Sequence, residues 1–176
     1  AGARIVVEAG AGEAAGFADS SYSDKGATIG SRTDAFAADI VAMVRVVDDS
    51  ATSPDLAHLR RGQVVVGMAA PLARPEVSAA VANTGATLFA LELVPRTTRA
   101  QNMDVLSSQA NIAGYKAVLM AANTFGKLLP MMMTAAGTIK AARVLILGAG
   151  VAGLQAIATA KRLGAVVEAS DVRPAV

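Results

Sequence analysis

Two short stretches hold the residues that could do chemistry. The first is Gly148-Ala149-Gly150-Val151-Ala152-Gly153, a G-x-G-x-x-G. Val144 to Leu147 leads in as a strand, Leu154 to Ala160 leads out as a helix, and Asp171 ends the next β-branched run. A strand, a glycine turn, a helix, and an acid about 20 residues further on form the dinucleotide fingerprint. Gly148 permits the tight turn. Gly150 has no Cβ, so the backbone can approach a pyrophosphate, and Gly153 lets the helix lie close to the strand. With Ala149 and Val151 these residues form a cradle at a helix N-terminus, where free N–H groups and the positive dipole end favour an anion. Asp171 would accept hydrogen bonds from the adenosine ribose, and its charge disfavours a 2′-phosphate. That points to NAD over NADP, although Arg173 is placed to hold such a phosphate. A glycine turn that only connects packed elements, or one that takes a flavin, stays as the alternative.

The second stretch is polar and runs Arg96-Thr97-Thr98-Arg99-Ala100-Gln101-Asn102-Met103-Asp104-Val105-Leu106-Ser107. It joins the end of a strand to a helix, and in open α/β sheets ligands bind beyond the carboxyl ends of strands. Arg96, Gln101, Asp104 and Ser107 can converge on one small polar target. Asp104 and Ser107 are three apart and share a helix face. The plainer reading makes Asp104 an N-cap and lets Ser107 satisfy nearby backbone.

Elements that alternate along the chain must position these residues. Strands are expected at 4–8, 40–47, 63–67, 87–93, 143–147 and 166–170. The third should be buried on both faces, because its valines are continuous. Helices are expected at 20–25, 54–59, 75–83, from 103 to about 127, and from the glycine turn to Leu163. The long helix reads as largely buried, with Val105, Leu106, Ile112, Ala113, Ala117 and Met120 on its apolar face. Residues 130–140 read as a connector. Strands separated by helices imply parallel sheets. The fold class is α/β, with two Rossmann-like parallel-sheet domains, both incomplete, joined by the long helix. The first spans 1–128. The second, 129–176, holds a single βαβ unit.

Composition removes several classes. With 53% hydrophobic residues the chain is not disordered. Sixteen basic against 14 acidic residues, scattered and with few aromatics, make a poor nucleic-acid surface. There is no cysteine, and His58 is the single histidine, so thiolate chemistry and Cys- or His-based metal sites are excluded. The most apolar stretch, 144–160, carries three glycines and falls short of the ~20 residues a membrane span needs. Both ends look cut, and a cytoplasmic setting fits the cysteine-free composition.

Residues 99–118, RAQNMDVLSSQANIAGYKAV, and 129–176, from LPMMMTAAGTIK to EASDVRPAV, closely resemble the alpha subunits of proton-translocating nicotinamide nucleotide transhydrogenases. The resemblance implies that Arg96, Gln101, Asp104 and Ser107, with Thr97, Thr98 and Arg99 in the same loop, hold the nicotinamide end of NAD(H). It implies that Gly148 to Gly153 and Asp171, Val172 and Arg173 hold the diphosphate and adenosine ribose. Hydride would pass directly to NADP(H) on a partner domain, coupled to proton movement through a membrane domain. No side chain then acts as acid or base, and Gln101 and Asp104 are positioners. A homodimer is implied, as is a soluble part of a membrane-associated complex. Alanine dehydrogenase, the nearest rival, needs a Lys and a His in its cleft, where this chain has Met43 and Gly67. A non-catalytic nucleotide-binding fragment is the third reading.

Overall fold

The computed structural model describes residues 2–174. Its mixed α/β chain forms two compact units that divide between Met103 and Asp104. The long helix therefore belongs to the second unit, whereas the sequence pattern carried it with the first. Ala175 and Val176, the last residues of the expected second domain, lie outside the described residues.

In the first unit, β1 (Val6–Glu8) pairs in parallel with β2 (Thr28–Gly30). A second parallel sheet has the order β3-β4-β5, from Ile40–Arg45, Val64–Met68 and Thr87–Ala90. The edges of β1 and β3 line a groove of about 880 Å³. Helix α1 is Asp19–Ser23, and α2 is Arg32–Phe36. Ser31 and Asp34 cap α2 reciprocally, side chain to backbone N–H in both directions. Helix α3, Pro75–Asn83, starts on the proline and turns Val77 and Val81 into a core with Phe36, Val41, Val46, Leu59 and Val65. Val77 and Val81 are four apart, one turn of a helix, which is why both reach the same sheet.

Three expectations change here. Strand β3 ends at Arg45 rather than residue 47, because Val47 and Asp48 take left-handed φ of 44° and 50°. Strand β5 likewise ends at Ala90, and Leu91–Leu93 forms a 3-10 turn. Strand β4 is not buried on both faces: Val65 and Gly67 are buried while Val64, Val66 and Met68 are partly open. The fully buried side chain next to it is Gln63, whose amide donates to the carbonyls of Phe36 and Ala38, each at 2.7 Å. Its carbonyl accepts from the Arg60 N–H, so its polar atoms are matched without water.

In the second unit, α4 is Val105–Thr124. Strands β6 (Met132–Thr134) and β7 (Gly137–Ile139) form an antiparallel hairpin where a plain connector was expected. Strands β8 (Arg143–Leu147) and β9 (Val166–Ser170) pair in parallel across α5, Val151–Arg162. Val118, Ala156 and Ala160 form the core, with Val144, Ile146 and Val167 against it. Helix α4 is not largely buried: only Gly114 and Val118 are enclosed, and Ile112 and Met120 lie open. Strand β8 also covers one face alone, leaving Leu145 and Leu147 exposed. Among the described residues no helix is long and apolar enough to cross a membrane, and no group of acids or histidines could hold a metal.

Candidate functional site

The glycine turn is built as its spacing requires. Gly148 sits at φ +95°, where a side chain would be strained. A Cβ on Gly153 would stand 1.8 Å from the Gly148 carbonyl oxygen, so that position admits glycine alone on this backbone. Gly150 is the N-cap of α5, and no side-chain bond closes the first turn. A Cβ there would meet only the Arg173 guanidinium, at 3.9 Å. The N-terminus of a three-turn helix thus opens onto space that a backbone-hugging anion can enter. These residues fit a diphosphate.

Asp171, at the end of β9, is tied to the same turn. Its Oδ2 accepts from the Ala149 N–H at 2.7 Å and from Arg173 Nη2 at 2.9 Å. Its Oδ1 accepts from the Arg173 N–H at 2.8 Å and from Arg173 Nε at 2.9 Å. The Arg173 guanidinium, then the backbone N–H groups of Ala149 and Arg173, hold the Asp171 carboxyl well below the usual carboxylate range. Asp171 is therefore an anion throughout the neutral range. Val172 is almost fully exposed beside them.

Gly114 was not singled out in the sequence, yet it belongs to the support of this turn. A Cβ on it would lie 2.1 Å from the Ala152 carbonyl oxygen. Helix α4 thus packs backbone to backbone on the first turn of α5. A lone glycine within a helical pattern is the one signal that could have found it.

The polar loop is arranged differently in each unit. In the first, Thr98–Met103 forms a 3-10 helix and buries only Ala100. Arg96, Thr97, Thr98, Arg99 and Gln101 are exposed. In the second, Asp104 is the N-cap of α4. It accepts from the Ser107 N–H at 2.9 Å and from the Ser107 hydroxyl at 2.7 Å. Asp104 and Ser107 are therefore brought together, as their spacing predicts, in the capping geometry that the plainer reading describes.

His58 ends the 3-10 helix Pro54–His58, which Ser53 caps. Its ring lies 5.3 Å from that of Phe36, and it is exposed. At Gly67 a Cβ would stand 2.4 Å from the Met43 carbonyl oxygen, so no side chain fits there without backbone movement.

Residues 1–113 match the family described as alanine dehydrogenase/PNT, N-terminal domain, and 117–176 match its C-terminal domain. The chain is 49% identical over 178 residues to the first polypeptide of the NAD(P) transhydrogenase alpha subunit of Rhodospirillum rubrum, covering 99% of this chain and 46% of that protein. It superposes on the crystal structure of a transhydrogenase from Sinorhizobium meliloti with a TM-score of 0.91 and 54% identity, over 99% of this chain and 49% of the other. An L-alanine dehydrogenase structure matches with a TM-score of 0.82 at 28% identity, over 97% and 46%. The chain spans about half the length of these proteins.

Proposed function

Because the chain belongs to the alanine dehydrogenase/PNT family, we propose that it is the NAD(H)-binding part of a transhydrogenase that moves hydride between NAD(H) and NADP(H). The NADP(H) lies on a partner domain, and a membrane domain couples the transfer to proton movement. The observation that carries the reading is the glycine turn bonded to Asp171: an open helix N-terminus and an anionic acceptor side by side. The dihydronicotinamide supplies the hydride. The chain's own residues bind and aim it. Gly148, Gly150 and the first turn of α5 take the diphosphate, and Asp171 takes the adenosine ribose. Arg96, Gln101, Asp104 and Ser107 orient the nicotinamide, with Thr97, Thr98 and Arg99 flanking. Orientation is the main lever left when hydride passes directly between two rings, because no proton has to be moved by a side chain.

An amino-acid dehydrogenase would need an acid–base pair in its cleft. Gly67 has no room for one member of it, and Met43 cannot serve as the other. The relatives named as transhydrogenases are also much more similar to this chain than the alanine dehydrogenase. The test is an assay of the full-length protein with its NADP(H)-binding partner, following transfer from NADH to an NADP+ analogue. Transfer to the analogue is expected. Oxidation of alanine with NAD+ in its place would sink the reading.

A further inference from the structure

A carboxylate offers about four lone-pair positions. In Asp171 all four are taken, by the Ala149 N–H, the Arg173 N–H, and the Nε and Nη2 of the Arg173 guanidinium. A ribose diol can bond to this carboxylate only where a present donor leaves. The two backbone donors belong to the turn and the strand end and cannot leave without unmaking both. The guanidinium can leave: its side chain is 58% exposed, while the carboxylate beneath it is 9% exposed. It also stands at the mouth of the glycine turn, facing Gly150.

We propose that Arg173 is a latch on the adenosine-ribose subsite, holding the Asp171 carboxylate closed until the nucleotide displaces its guanidinium. The inference rests on the reading of this chain as an NAD(H)-binding protein. Displacement exchanges two charge-assisted bonds to arginine for two bonds from ribose hydroxyls. The hydroxyls are weaker partners, so the latch subtracts from what the ribose contributes. The cation that swings away is left beside the path of the diphosphate. Arg173 thus discriminates between nucleotides by how well their ribose competes for Asp171.

The test compares full-length wild type with Arg173→Met, titrated with NADH and with its 2′-deoxyadenosine analogue. Both probes carry the same charge, so the loss of the arginine's long-range attraction cancels in the ratio of their dissociation constants. The latch predicts that the preference for NADH over the deoxy analogue rises about two- to fivefold in Arg173→Met, the scale of an exposed ion pair. An unchanged or smaller preference would overturn it, because Arg173 would then be a bystander or itself a ribose partner. If neither protein binds NADH, the cofactor reading falls and takes the latch with it. Should the variant fail to fold, the wild type still decides. The 15Nε signal of Arg173 should lose its protection from solvent exchange when NADH is added, and an unmoved signal rejects the latch.

Discussion

Gly114→Ala tests the packing beneath the glycine turn, and two effects of opposite sign meet there. Alanine is the better helix former by about 1 kcal/mol at an interior position, so an exposed glycine in α4 would gain from the change. Gly114 is enclosed, and its added methyl would lie 2.1 Å from the Ala152 carbonyl oxygen. A relaxed carbon–oxygen approach is about 3.3 Å, so α4 and the first turn of α5 must part by about 1.2 Å. The obstacle is backbone on both sides, with no flexible side chain to give way. Overpacking of this kind costs roughly 1–3 kcal/mol, which outweighs the propensity gain. A net loss of about 0.5–2 kcal/mol is expected. For a unit of this size it lowers the melting temperature by about 4–8 °C per kcal/mol. Ala152 lies inside the G-x-G-x-x-G, so NADH affinity should fall together with stability. Thermal unfolding by circular dichroism and NADH titration of the full-length variant supply the two readouts. A variant more stable than wild type would mean that propensity wins and that the two backbones are not in contact.

Gln101→Asn should slow hydride transfer far more than it weakens NADH binding, because a misplacement of about 1 Å can cost 100-fold in rate; stopped-flow transfer at a rate equal to wild type would remove Gln101 from the site. Asp171 is held below the usual carboxylate range, so its charge contributes above that lowered value and is lost only as pH falls through it. The ratio of NADH affinities between wild type and Asp171→Asn should therefore hold from pH 8 down to about 4.5, and a collapse of the ratio within that window counts against the Arg173 contact. Gly67→Ala should destabilise the first unit by roughly 1–3 kcal/mol through collision with the Met43 carbonyl; an unaltered urea midpoint would show that β3 and β4 can part at no cost. The 176-residue chain alone should bind NADH more weakly than the full-length protein, because its second unit rests on a two-stranded sheet with Leu145 and Leu147 exposed. Equal affinities by calorimetry would reject that expectation.

What could be read from the sequence is what chain neighbours decide. Pro75 and the Asn83 to Gly85 stop bound α3 where the spacing puts it, and Ser53 with Pro54 starts the short helix that precedes β4. The strand, glycine turn, helix and strand around Gly150 follow for the same reason, since each signal sits within a few residues of the element it specifies. The hairpin of β6 and β7 was missed because Met131-Met132-Met133-Thr134 does not alternate and its turn, Ala135-Ala136, carries none of the usual turn residues. Gln63 looked like the first residue of a strand, and nothing near it in sequence announces that its amide serves carbonyls more than 20 residues upstream.

The least legible facts join residues distant in sequence. Gly67 against Met43 and Gly114 against Ala152 are close approaches of backbone, which leave only a glycine behind as a trace. Asp171 belongs to this class even though its motif was plain. The fingerprint states where the acid falls and what it should accept from a nucleotide. It is silent on the Ala149 and Arg173 donors that already fill that carboxylate. Affinity at a motif is a difference between two occupied states, the self-bonded and the liganded, and spacing describes only the second. Residues just past the fingerprint acid, such as Arg173, are therefore where chains that share one glycine turn can diverge in the nucleotide they keep.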